Sequence, residues 1–87
     1  MDIDFPSMVM PKVTAMGTVS FQARVDGEFL WCEISCEALC THFGARSTTG
    51  NDFLHAFHTG RRRIEETARR GLESNGGRAL LLMSVDF

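Results

Sequence analysis

The sequence predicts an α+β fold: a three-stranded antiparallel sheet, built from a β-hairpin and a C-terminal strand, with two helices on one face in the order β-β-α-α-β. Three observations carry this. Asp26-Gly27 separates two runs rich in β-branched and aromatic residues, and this dipeptide suits a two-residue hairpin turn because both central positions then take positive φ. Two segments of helical periodicity follow the hairpin, and the chain closes on an apolar run with strand character over residues 79–87. At 87 residues there is room for one domain only.

Residues 1–16 hold Pro6, Pro11 and four of the five Met without sustained periodicity, so they read as an extended N-terminal arm on a single domain spanning 17–87. The two-residue turn sets the hairpin register: Val25 opposite Glu28, Ala23 opposite Leu30, Phe21 opposite Cys32 and Val19 opposite Ile34. One face of the hairpin is then almost wholly apolar. The other pairs Arg24 with Phe29, Gln22 with Trp31 and Ser20 with Glu33.

Ser35 is placed to cap a short helix over 36–43, with Glu37 in its first turn, Gly44 as its stop and Cys36, Leu39, Cys40 and Phe43 facing inward. A polar loop over 45–50 leads to Asn51, read as the cap of one longer helix to about residue 73, with Phe53, Phe57, Ile64, Ala68 and Leu72 on its stripe. Asn75-Gly76-Gly77 ends it. In the final strand both alternate sets, Leu81, Met83, Val85 and Leu80, Leu82, are apolar, so both faces call for cover. Two helices can cover one face. Phe29, Trp31, Leu80 and Leu82 are expected on the other, where the arm or a second copy of the chain would pack, because monomers rarely leave so large an apolar patch open.

Hydrophobic residues make up 44% of the chain and charged residues 23%, the composition of a globular protein. No apolar run is long enough for a membrane span, Asp2 and Asp4 stand where a signal peptide is basic, and three Cys within nine residues suit no disulfide framework. The expectation is a cytoplasmic protein with reduced thiols. Residues 1–44 carry two cations against six acids, and 45–87 carry seven Arg against five acids, a mild asymmetry far from that of a dedicated nucleic-acid binder.

Cys32, Cys36, Cys40 and His42 offer zinc-type ligands, but Cys32 falls in a strand and the others on a short helix, which is not knuckle spacing. Buried hydrophobe is the better reading. A Cys nucleophile would need a base in reach, and nothing brings His42, His55 or His58 to Cys36 or Cys40. Gly76-Gly77 lies between helix and strand, the reverse of the order in a phosphate loop. The Arg-rich helix interleaves acids, with Arg61, Glu65, Arg69 and Glu73 at four-residue steps and likewise Arg62, Glu66 and Arg70, the pattern of a self-neutralised solvent face. Arg61 falls inside the apolar arc, where its structural role is an ion pair with Glu65 or with a strand carboxylate and its functional role a bidentate grip on a partner's carboxylate or phosphate.

The run from Val19 to Gly27, the run from Cys32 to Leu39 continuing through His42-Phe43-Gly44, and Phe57 with Arg61, Ile64, Glu65 and Ala68 resemble a family of small bacterial proteins, the domain of unknown function number 1488. The resemblance spans roughly residues 17–72, with the C-terminal strand and Phe5-Pro6 more loosely similar, and departs at Met16, where members often carry an aromatic residue. It implies a compact α+β fold and a free-standing bacterial protein, and supplies no activity.

The function expected is a non-catalytic interaction or regulatory module without cofactor or metal. It would self-associate as a homodimer, or bind an unidentified protein, through a surface of Arg24, Phe29, Trp31, Arg61, Leu80 and Leu82. The alternative is a weak nucleic-acid-binding regulator contacting phosphates through Arg61, Arg62, Arg63 and Arg70. No membrane is expected as a partner.

Overall fold

The computed structural model describes residues 1–46 and 49–87, and its α+β class is the one the sequence predicts. The elements run β1 (Ile3–Asp4), β2 (Lys12–Val13), β3 (Thr18–Val25), β4 (Glu28–Ser35), α1 (Cys36–His42), α2 (Gly50–Thr59), α3 (Arg61–Asn75) and β5 (Leu81–Leu82), followed by a 3-10 turn, Ser84–Asp86.

The hairpin register is the expected one throughout, from Val25↔Glu28 to Val19↔Ile34, and Asp26 and Gly27 take φ of 51° and 85°. Its inner face is sealed: Val19, Ala23, Cys32 and Ile34 are fully buried and the Phe21 ring lies 5.3 Å from that of Phe57 on α2. Ser35 caps α1 as expected, its Oγ accepting from the Ala38 N–H at 3.1 Å. The helix leans on the core through Ala38 and Leu39, and that phase turns Cys40 outward, so Cys40 is exposed rather than inward-facing.

The three-stranded antiparallel sheet is corrected to five strands in two respects. The arm supplies two of them, β1 pairing Ile3↔Val25 and Asp4↔Arg24, and β2 pairing Lys12↔Ser20 and Val13↔Val19, both on the free edge of β3. Two-residue pairings flanked by prolines carry no periodicity, and an edge is where proline is tolerated. β5 runs parallel to β4 (Glu33↔Leu81, Ile34↔Leu82), because the helical crossover returns the chain to the end of the sheet from which β4 sets out. The expected strand over 79–87 shortens accordingly: after Met83 the backbone turns, with the Asp86 carboxylate accepting from the Met83 N–H at 2.7 Å.

The expected single long helix is two. Thr49, not Asn51, caps α2, its Oγ1 accepting from the Asp52 N–H. Of the polar loop expected over 45–50, Ser47 and Thr48 lie outside the described residues. Gly60 ends α2 and starts α3, donating to Ala56 O and accepting from the Ile64 N–H. A Cβ at Gly60 would overlap the Phe43 ring, so only glycine lets α1 and the α2–α3 corner close together. The bend brings both halves of the stripe, Phe53 and Phe57, then Ile64, Ala68 and Leu72, into one core. Each such large side chain contributes about 1.5–3 kcal/mol by leaving water.

Candidate interaction face

With all three helices on the inner side, the outer side of the hairpin is left to solvent. Along β3 it presents Ser20, Gln22 and Arg24, and along β4 Phe29, Trp31 and Glu33. The register adds Asp4 beside Arg24, Lys12 beside Ser20 and Leu81 beside Glu33. Met83 follows Leu81 by two residues on an extended backbone and continues the same side. Four large apolar side chains therefore stand open: Phe29 at 58%, Trp31 at 42%, Leu81 at 47% and Met83 at 45% exposure.

The charges around this band are ordered. Arg24 donates from Nε and Nη2 to the two carboxylate oxygens of Asp4 at 2.9 and 2.6 Å, a bidentate pair that raises the guanidinium's pKa above its ordinary value. The same guanidinium lies 5.9 Å from the Phe29 ring centroid, and Lys12 Nζ lies 5.8 Å from that of Trp31. Glu33 accepts from the Thr18 hydroxyl, itself paired with the Thr14 hydroxyl. The face thus holds Lys12 and Arg24 against Asp4 and Glu33, with no excess of either sign.

Three residues expected here lie elsewhere. Leu82 pairs with Ile34 and is buried at 4% exposure, and Leu80 packs onto α3, where a Cβ on Gly71 would approach its Cδ2 to 2.6 Å. The outward member of the strand is Leu81. With both alternate sets apolar, only the pairing with β4 decides the phase, and no signal in the sequence carries it. Arg61 sits in the helical layer, beyond the sheet, with Nε on Glu65 Oε2 at 2.7 Å and its guanidinium 5.7 Å from the Phe57 ring. Lys12 and Asp4 were not foreseen, because the arm's register was not legible.

The arginines of α3 are mostly occupied. Arg63 stacks on Phe43 and Phe87 and reaches the Phe87 main-chain oxygen at 3.3 Å, Arg69 donates to Ile3 O at 2.6 Å over the Phe5 ring, and Arg70 lies 3.5 Å from Thr67 Oγ1. Among the described residues Arg62 alone of the five makes no such contact. Arg24, on the outer face of the sheet, does not join them.

Burial pushes the Cys32 thiol up, and burial followed by the neighbouring Cys40 does the same to Cys36, so neither is poised as a thiolate. His42 Nε2 lies 3.0 Å from Ser84 O, while His55 and His58 are exposed. Among the described residues no three His, Cys, Asp or Glu side chains cluster as a metal site, and no helix is long and apolar enough to cross a membrane.

Among curated proteins and solved structures, none matches the chain. The family model that does match is described as protein of unknown function, DUF1488; it spans residues 3–82, from the start of β1 to the end of β5, and the chain belongs to that family.

Proposed function

We propose that the protein is a non-catalytic interaction module that self-associates by packing the outer sheet face of one copy against that of another. The observation that carries this reading is the band of Phe29, Trp31, Leu81 and Met83, open to solvent and set among two acids and two bases. In a two-fold interface a patch meets itself, so a self-complementary patch needs both signs of charge around an apolar centre. Trp, Met and Arg are also the side chains that interfaces favour. A polyanion gains little here, because Asp4 already neutralises Arg24 and Glu33 stands near Lys12.

Trp31 is the chain's sole Trp and reports directly on its surroundings. On this reading its emission shifts to the red and its quenching by iodide rises as the protein is diluted through the dissociation range. A water-exposed emission unchanged at every concentration contradicts the reading.

A second reading, nucleic-acid contact through Arg61, Arg62, Arg63 and Arg70, draws support from the first turn of α3, which holds three arginines and no acid. Short DNA and RNA titrated at low salt separate the two. Amide shifts on α3 that fade as salt rises support the second, and shifts across the outer sheet face, from β3 and β4 to Leu81 and Met83, on self-association support the first.

A further inference from the structure

On the helical side of the molecule, away from the outer sheet face, the chain after Met83 leaves the sheet and docks between α1 and α3. Its main-chain oxygens are what it offers. His42 Nε2 donates to Ser84 O at 3.0 Å and Arg63 Nη2 donates to the Phe87 oxygen at 3.3 Å. Between these two grips the Phe87 ring stands edge-on to Phe43, centroids 5.1 Å apart at 89°, with the Arg63 guanidinium 5.5 and 5.6 Å from the two ring centroids. An aromatic wall flanked by donors aimed at main-chain oxygens is the chemistry by which a groove captures a peptide.

Three observations mark the tail as a loosely held occupant. Ser84 Oγ is buried and has no hydrogen-bond partner among the described residues, a cost that release into water recovers. Val85 is 91% exposed and contributes almost no packing. His42, Phe43 and Arg63, which the tail touches, also line an open cleft of about 470 Å³ with Thr59, Arg62 and Glu66, so the groove extends beyond the tail. The groove's own residues fall within the range 3–82 matched by the family, and the tail falls after it.

We infer that the groove between α1 and α3 is a recognition site for a protein segment carrying an aromatic residue beside accessible main-chain oxygens, and that residues 84–87 are its resident, displaceable occupant. A partner segment of this chemistry competes with the tail. The resident tail acts at an effective concentration on the order of millimolar, so competition is set at that level.

The test uses the full chain carrying Phe87→Ala, isotope-labelled and checked for a folded amide spectrum, titrated with an acetylated and amidated tetrapeptide of the sequence of residues 84–87. Saturable shifts at His42, Phe43 and Arg63 are expected, at least about tenfold weaker in the unchanged protein, where the tail competes, and absent with the peptide's Phe replaced by Ala. No shifts in the variant, or equal shifts in both proteins, would overturn the inference. Should Phe87→Ala not fold, hydrogen exchange on the unchanged protein decides. The Asp86 and Phe87 amides, bonded to Met83 O and Ser84 O, must open while α1 and α3 stay protected; opening only with the whole domain refutes a displaceable tail.

Discussion

The two faces of the β3–β4 hairpin are built from the same two strands and the same turn, yet they have opposite fates. On the inner face Val19, Ala23, Cys32 and Ile34 have no exposure left, and a ring from α2 packs on Phe21. On the outer face Phe29 and Trp31 keep roughly half of theirs, steadied by Arg24 and Lys12. Large apolar side chains alone do not make a core. What decides is whether another element of the chain can reach them, and here all three helices and Leu82 are spent on one side. The outer aromatics contribute little to folding the monomer, which is why we assign them to association.

That contrast can be broken by substitution. Phe57→Ala, which empties the inner side beneath Phe21, is expected to cost about 3–5 kcal/mol in urea unfolding. Phe29→Ser, measured below the dissociation concentration, is expected to stay within about 0.5 kcal/mol of the unchanged protein. Comparable losses at the two positions would erase the distinction. Trp31→Ser acts the other way, weakening association by roughly thirtyfold or more as a central aromatic anchor does, while the monomer's unfolding midpoint barely moves.

Smaller effects sharpen the inner half of the picture. Gly60→Ala forces a methyl group into the Phe43 ring and is expected to cost about 1–3 kcal/mol, against the gain a glycine-to-alanine change gives in an open helix. Ser35→Ala removes the α1 cap for a loss of about 1 kcal/mol.

The smallest effect is on pH. Cys32 is raised by burial, so the unfolded chain loses that proton first as pH climbs, and stability falls once pH passes the ordinary thiol range. Below that range Cys32 adds no slope. Cys32→Ala lowers stability at every pH but flattens the decline on the alkaline side, read as melting temperature from neutral pH upward.

The parts legible in the sequence were those specified locally. Asp26-Gly27 permits positive φ at two successive positions, and with the turn fixed the whole β3–β4 register follows. Ser35 and the helical stripe from Phe53 to Leu72 are likewise short-range signals. What escaped depends on contacts distant in the chain. Gly60 reads as one more helix residue until Phe43, far earlier, is found against it. The phase of β5 rests on Ile34, and the strands of the arm rest on β3. The hairpin's share of the candidate face was therefore readable, with Arg24, Phe29 and Trp31 at its centre, but Leu81, Met83, Asp4 and Lys12 join it only in the assembled sheet.

The claim that the outer face is a self-association surface is tested most directly by molar mass from light scattering across a range of concentrations, on the unchanged protein and on Trp31→Ser. A self-associating outer face gives a mass rising toward twice the 9.7 kDa of one chain in the unchanged protein, and a single-chain mass at the same concentrations in the variant. A single-chain mass for both, or an assembly that Trp31→Ser leaves intact, would contradict it.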